Sequence, residues 1–163
     1  MTDAAIPAPE AAPSRLRAAR WLALLVPASL LGGALGSQYL GGLAPCEMCY
    51  WQRWPHEAAI ILAALAFVLP ARARTLTLLA AVAIAVSGAI GVYHAGVEAG
   101  IFEGLTACTA TGAGSLADIM ATPLVRCDQI QFAFLGLSMA GWNAVLSLGS
   151  AIVIGWLVWS DRR

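Results

Sequence analysis

Residues 45–69 read PCEMCYWQRWPHEAAIILAALAFVL, and the two halves of this stretch are chemically unlike. From Ala58 onward it is an unbroken apolar run, as in a membrane span. Ahead of that run stand Cys46 and Cys49, three apart, with Arg53 one helical turn after the second cysteine. A reactive-looking pair thus sits at the lip of a span. The rest of the chain agrees with a membrane setting. It has 163 residues, 60% hydrophobic and 11% charged, where soluble domains run at about 45–50% apolar and about 25% charged. Mean hydropathy is +0.78. Formal net charge is zero, so there is no basic face for nucleic acid.

A span needs about 20 apolar residues. Four stretches qualify, at about 21–38, 54–71, 75–97 and 139–159. They predict an all-α membrane protein, a four-helix transmembrane bundle over residues 15–163. The Ala- and Pro-rich residues 1–14 read as a disordered leader. Arg15, Arg17 and Arg20 precede the first apolar run, and small residues follow at 32–37, as in a cleaved secretory signal. The run is long enough to stay as an anchor.

All nine basic residues are arginine. In a four-span arrangement Arg15, Arg17, Arg20, Arg72, Arg74, Arg162 and Arg163 share one side, which the positive-inside rule makes cytoplasmic together with both termini. Arg53 and Arg126 remain, each close to a cysteine. Parity places Cys46 and Cys49 in one outer loop, about 39–53, and Cys108 and Cys127 in the other, about 98–138. All four then face an oxidising compartment, where disulfides persist. In the second loop, SLADIM carries Leu116, Ile119 and Met120 on one face behind a candidate cap at Ser115. It predicts a short interfacial helix. The following QFAFLGL suits the interface too.

A Cys-x-x-Cys closes a redox disulfide, binds zinc or is inert. Zinc wants four ligands, commonly two such pairs. Cys108 and Cys127 have 18 residues between them, so a metal site would need His56 or His94. Exposed inert thiols fit an oxidising face poorly. If a helix runs back through the motif, Arg53 lies one turn from Cys49, and a cation and a helix N-terminus both favour the thiolate. Glu57, a further turn on, could hold Arg53. Pro55 is either the first residue of the helix or a kink within it. Tyr50, Trp51 and Trp54 are either interfacial anchors or the walls of a pocket for a flat, lipid-soluble cofactor. His94, beside Tyr93 at the outer end of the third span, could hydrogen-bond such a cofactor. Cys108 and Cys127 are a structural staple or a second redox pair that exchanges with the first.

The stretch CEMCYWQR resembles the Cys-x-x-Cys-x-x-x-Arg signature of the disulfide bond formation protein B (DsbB) family. RCDQIQFAFLGLSMAGWN is similar to that family's segment from its last cysteine into the fourth span. The resemblance runs from about Arg15 to the end. It implies a bacterial inner-membrane thiol:quinone oxidoreductase that re-oxidises a periplasmic, DsbA-like thioredoxin-fold partner and passes electrons to membrane quinone, ubiquinone or menaquinone. By resemblance, the partner attacks the Cys108–Cys127 disulfide at Cys108, Cys127 attacks the Cys46–Cys49 disulfide at Cys46, and Cys49 is released as a thiolate facing the quinone. Arg53 matches the arginine that contacts the quinone, and His94 matches by position. Glu47, between the cysteines, departs from the pattern and opposes thiolate formation. The second loop is compact for the family.

Three other readings compete. A metal-binding or transport protein would use Cys46, Cys49 and His94 as ligands, but the spans carry little of the buried charge that ion pathways need. A scaffold with two disulfide staples would have no quinone chemistry. A vitamin K epoxide reductase-like enzyme would carry its motif near the last span.

Overall fold

The computed structural model describes residues 15–104 and 125–161. Cys108, the expected interfacial helix around 115–120, the leader and Arg162–Arg163 lie outside the described residues. Four long helices account for most of what is described: α1 (Arg15–Tyr39), α2 (Glu47–Val68), α3 (Ala73–Glu98) and α4 (Met139–Ser160). They form a ring in which α3 lies between α2 and α4, and α1 closes the ring against both. The core is built from small side chains. Ala19, Ala23, Ala59, Ala63 and Ala80 pack with Ile84, Ile154 and Val158, so backbones approach closely, as they do where helices meet in lipid. Gly91 marks a close approach of α3 to the backbone of α4. A Cβ there would stand 3.0 Å from Ala140 O and 3.1 Å from Asn143 Nδ2.

Among the described residues, three helical segments are long and apolar enough to cross a membrane: Arg15–Tyr39, Pro70–Glu98 and Met139–Ser160. The second expected span differs. Its helix does not start near residue 54. It starts at Glu47, capped by Cys46, whose Sγ accepts the Cys49 backbone N–H at 3.3 Å. The added turns carry Glu47, Gln52 and Arg53, and with His56 and Glu57 following them only 58–68 is left as the apolar part. It also ends earlier than expected, at Val68. Pro70 disfavours helical backbone at Leu69 and opens a separate 3₁₀ turn, Pro70–Arg72. Pro55 lies inside α2, so it does not start the helix but sits within a longer one.

The end of the ring that carries the described cysteines holds an element that the sequence reading missed. QFAFLGL folds in part as a hairpin, with β1 (Ala133–Phe134) antiparallel to β2 (Leu137–Ser138). Its turn residues Leu135 and Gly136 both have positive φ, 51° and 80°, as a tight two-residue hairpin turn requires. The hairpin is pinned to α4, where Trp142 Nε1 donates to Phe134 O at 2.9 Å. Ser138 then caps α4, accepting the Gly141 N–H at 3.1 Å, and donates its own hydroxyl proton to Glu98 at the end of α3.

Charge separates along the ring. At one end Arg15 reaches Ser160 O (3.4 Å), Arg20 reaches Ala66 O (3.2 Å), and Arg74 reaches Val158 O (2.9 Å) and Asp161 (3.6 Å). The described cysteines lie at the other end, with Tyr93, His94 and Glu98.

Candidate functional site

Starting α2 at Glu47 sets the geometry of the first pair. Cys46 is the cap and Cys49 is in the first turn, so the two sulfurs converge at 2.7 Å. The first-turn amides and the helix dipole favour a negative sulfur here. Both cysteines lie ahead of the apolar part of α2. The Cys49 thiol is held below the usual thiol range, first by the hydrogen bond from Cys46 Sγ–H, then by its backbone bond and the Arg53 guanidinium, against the effect of burial. The same bond, with burial, pushes the Cys46 thiol up. The pair is therefore asymmetric: Cys46 keeps the proton and Cys49 is the sulfur that ionises. Glu47, between them, occupies the first helical turn, where a carboxylate complements the helix dipole.

Arg53 is buried and stacks on Tyr50, 5.2 Å from the ring centroid. Its expected partner, Glu57, is exposed. Among the described residues Arg53 is held by α1, donating to Gln38 Oε1 at 2.6 Å and to Ala34 O at 3.2 Å. Arg126, the other arginine near a cysteine, forms a surface ion pair with Asp128.

Cys127 reaches the same spot from the last loop. It shares a buried cluster with Cys46, Met48 and Val97, with Cys49, Trp51 and Tyr93 packed around it. Cys46 is 2% exposed and Cys127 8%, so both are shielded from bulk thiols.

His94 completes the site. Its Nε2 lies 3.6 Å from Cys46 Sγ and 3.8 Å from Glu98 Oε1. Its Nδ1 lies 2.8 Å from Gln52 Nε2. Behind it runs a polar network through the middle of the ring. Gln52 Oε1 accepts from Asn143 Nδ2 at 2.8 Å. Asn143 Oδ1 faces His56 Nε2 at 2.9 Å and Ser147 Oγ at 2.9 Å. Ser87 Oγ donates to Gln52 O at 2.8 Å.

A cleft of about 500 Å³ opens beside the cysteines between α1, α2 and α4. Cys49, Arg53, His56 and His94 line its polar end, and Leu30, Ala34, Phe132 and Trp142 its apolar sides. The expected aromatic walls differ from those found. Tyr50, Trp51 and Trp54 do not line the cleft, and Trp54 is 60% exposed on the outer surface. Helical spacing turns Trp54 outward, and Phe132, just ahead of the hairpin, and Trp142 of α4 line the cleft instead.

Of the expected site residues, Cys46, Cys49, Arg53, His94 and Cys127 come together, while Cys108 lies outside the described residues. Gln52, His56, Asn143 and Ser87 were not read as one constellation. The available signal was the scatter of amide and hydroxyl side chains within apolar spans, which are costly there without partners. The site can do two kinds of chemistry. Juxtaposed sulfurs of unequal acidity suit thiol–disulfide exchange. The donor atoms of Cys46, Cys49 and His94, all within 4.8 Å of one another, could also hold a metal ion.

Comparison with known proteins adds three findings. The family model "Disulfide bond formation protein DsbB" matches residues 16–157. Disulfide bond formation protein B 1 of Pseudomonas putida is 30% identical over 165 residues, covering 92% of this chain and 96% of that protein. Disulfide bond formation protein B of Marinobacter nauticus is 30% identical over 159 residues, covering 88% and 93%. No solved structure matches.

Proposed function

Because this chain belongs to the disulfide bond formation protein DsbB family, we propose that it is a quinone-dependent oxidase of a periplasmic, DsbA-like thioredoxin-fold dithiol, embedded in a bacterial inner membrane. The observation that carries this reading is the burial of Cys127 in one cluster with Cys46, beside the acidic thiol of Cys49. A staple alone gives no reason for a loop cysteine to pack against a second, juxtaposed pair.

The exchange balances as follows. A partner thiolate attacks Cys108 of a Cys108–Cys127 disulfide and forms the intermolecular bond, releasing Cys127 as a thiolate. Cys127 attacks Cys46, the Cys46–Cys49 bond breaks, and Cys49 leaves as a thiolate. That is the better leaving group of the pair, since the more acidic thiol leaves faster. The partner's second thiol attacks its own sulfur in the mixed disulfide, leaves oxidised, and frees Cys108. Cys108 then attacks Cys127, restoring the outer disulfide and releasing Cys46. Two electrons and two protons have moved from the partner to Cys46 and Cys49.

The cleft fits a quinone. Its volume lies in the range of small-molecule sites, about 300–1,000 Å³, with apolar flanks and few polar groups. When bound, ubiquinone or menaquinone supplies a two-electron, two-proton acceptor that lets the dithiol close again to a disulfide. Cys49, Arg53 and His94 would hold its ring end. Arg53 keeps positive charge beside the Cys49 thiolate, and His94 keeps an N–H at Cys46. The arginine-rich end faces the cytoplasm in this reading, with both termini, and the cysteine end faces the periplasm. Four spans follow, with α2 crossing because it is sheltered between α1 and α3.

The test combines purified protein, a reduced thioredoxin-fold substrate and a soluble quinone, and follows quinone absorbance. Turnover is expected in the wild type. Cys108→Ser should stop oxidation of the partner while the Cys46–Cys49 dithiol still reduces quinone. Partner oxidation at the normal rate by Cys108→Ser would overturn the relay. The clustering of Cys46, Cys49 and His94 favours one second reading, a metal site. Stoichiometric zinc with no quinone turnover would establish it instead.

A further inference from the structure

Proton positions in the polar network follow from backbone carbonyls, which only accept. Gln52 Nε2 lies 3.2 Å from Met48 O, so the NH₂ of Gln52 is on that side and Oε1 is on the other. Asn143 Nδ2 lies 3.1 Å from Ser87 O, which orients Asn143 likewise and presents its NH₂ to Gln52 Oε1. Both amides are thereby fixed. Gln52 then donates to His94 Nδ1, so Nδ1 carries a lone pair. A neutral imidazole with an accepting Nδ1 has its proton on Nε2, the nitrogen that faces Cys46 Sγ.

This polarity is the reverse of a metal site. A histidine that ligates a metal donates its other ring N–H to a carboxylate, carbonyl or water. Here the other ring nitrogen receives a hydrogen bond, and the nitrogen aimed at the sulfurs is blocked by its proton. We propose that Gln52, held by Asn143, is a positioning residue that locks His94 as a hydrogen-bond donor to Cys46 and so keeps the reduced Cys46–Cys49 pair from capturing thiophilic metal ions such as Zn²⁺. The need is physical. Two thiols and an imidazole within 4.8 Å supply three donors of the kind zinc prefers, and each turnover of a dithiol centre exposes them in reduced form. A zinc-bound pair could not form a disulfide. The geometry stands whichever electron acceptor the cleft takes.

The test uses the full-length protein in a Cys108→Ser/Cys127→Ser background, reduced and titrated anaerobically with Zn²⁺ against a chromophoric chelator. His94→Ala should leave zinc affinity unchanged, because His94 does not ligate. Gln52→Glu places a carboxylate acceptor at Nδ1, moves the proton there and turns a bare Nε2 to the sulfurs. Its affinity should rise at least about tenfold, the lower end of outer-shell effects on metal sites. The gain should vanish in Gln52→Glu/His94→Ala. Two results overturn the proposal: a loss of wild-type affinity in His94→Ala, or a gain in Gln52→Glu that is absent or survives removal of His94. If Gln52→Glu does not fold, the wild type alone decides. Long-range ¹H–¹⁵N spectra report the His94 tautomer, and a proton on Nδ1 overturns the lock.

Discussion

Arg53 reaches α1 through two charged hydrogen bonds, to Gln38 and Ala34, while its guanidinium helps hold the Cys49 thiol acidic. Hydrogen bonds to charged groups contribute about 1.5–3 kcal/mol each, so Arg53→Ala should both lower thermal stability in detergent and weaken the thiolate. The sign is set by the direction of the shift. A thiol held low is ionised at lower pH than a free one, and losing the cation moves its ionisation upward. The pH profile of Cys49 alkylation, followed by mass spectrometry, should therefore move to higher pH in Arg53→Ala, and less so in Arg53→Lys. An unchanged profile would remove Arg53 from the thiolate argument. At this scale the sequence was legible where spacing is local. Cys46, Cys49 and Arg53 are linked by one helix, and one turn places them together. The partner of Arg53 was misjudged because Glu57 obeys the same local rule, while Gln38 reaches it only through the packing of α1 on α2. Gln52 and Asn143 meet across 91 positions of sequence, a distance over which periodicity carries no information.

Elements carry the next layer of constraint. Gly91 lets α3 sit against the backbone of α4 around Ala140 and Asn143. A methyl there meets the Ala140 and Ala144 backbone as well as the Asn143 amide, so Gly91→Ala should behave as overpacking, costing about 1–3 kcal/mol. It should also disturb the Asn143 amide that orients Gln52. The measurement is thermal unfolding in detergent, with Gly149→Ala as the control, since nothing lies within 4 Å of a Cβ at Gly149. The hairpin offers the opposite case. Leu135 is 77% exposed with φ 51°, a conformation costing an L-residue roughly 1–2 kcal/mol that Gly and Asn tolerate. Leu135→Gly should raise stability. If stability falls, the Leu135 side chain is anchoring the hairpin in lipid or on a partner. The apolar runs of α1, α3 and α4 were readable because hydropathy integrates over a whole span. The start of α2 was not, because its first turns are polar and derive their place from the cap at Cys46 and from neighbours on both sides.

Across the whole molecule, Arg15, Arg20 and Arg74 mark one end and Cys46, Cys49 and Cys127 the other, and the distance between the ends is the length of the helices. That separation turns the proposed function into a statement about sidedness. The arginine end is tied by Arg20 to Ala66 and by Arg74 to Val158 and Asp161, so it cannot turn independently of the cysteine end. In intact cells, a membrane-impermeant maleimide should label a cysteine placed in the first outer connection, at Leu40 (92% exposed), in a variant whose four native cysteines are serine. A cysteine at Ala71, in the 3₁₀ turn between α2 and α3, should be labelled only after permeabilisation. The two positions lie at the ends of a bundle whose helices of 22–26 residues span about 33–39 Å at 1.5 Å per residue, against about 30 Å of hydrocarbon. The same pattern with the positions exchanged would place the thiols in the reducing cytosol, where a disulfide relay has no oxidised partner to make. Labelling of both positions from outside would mean that α2 does not cross.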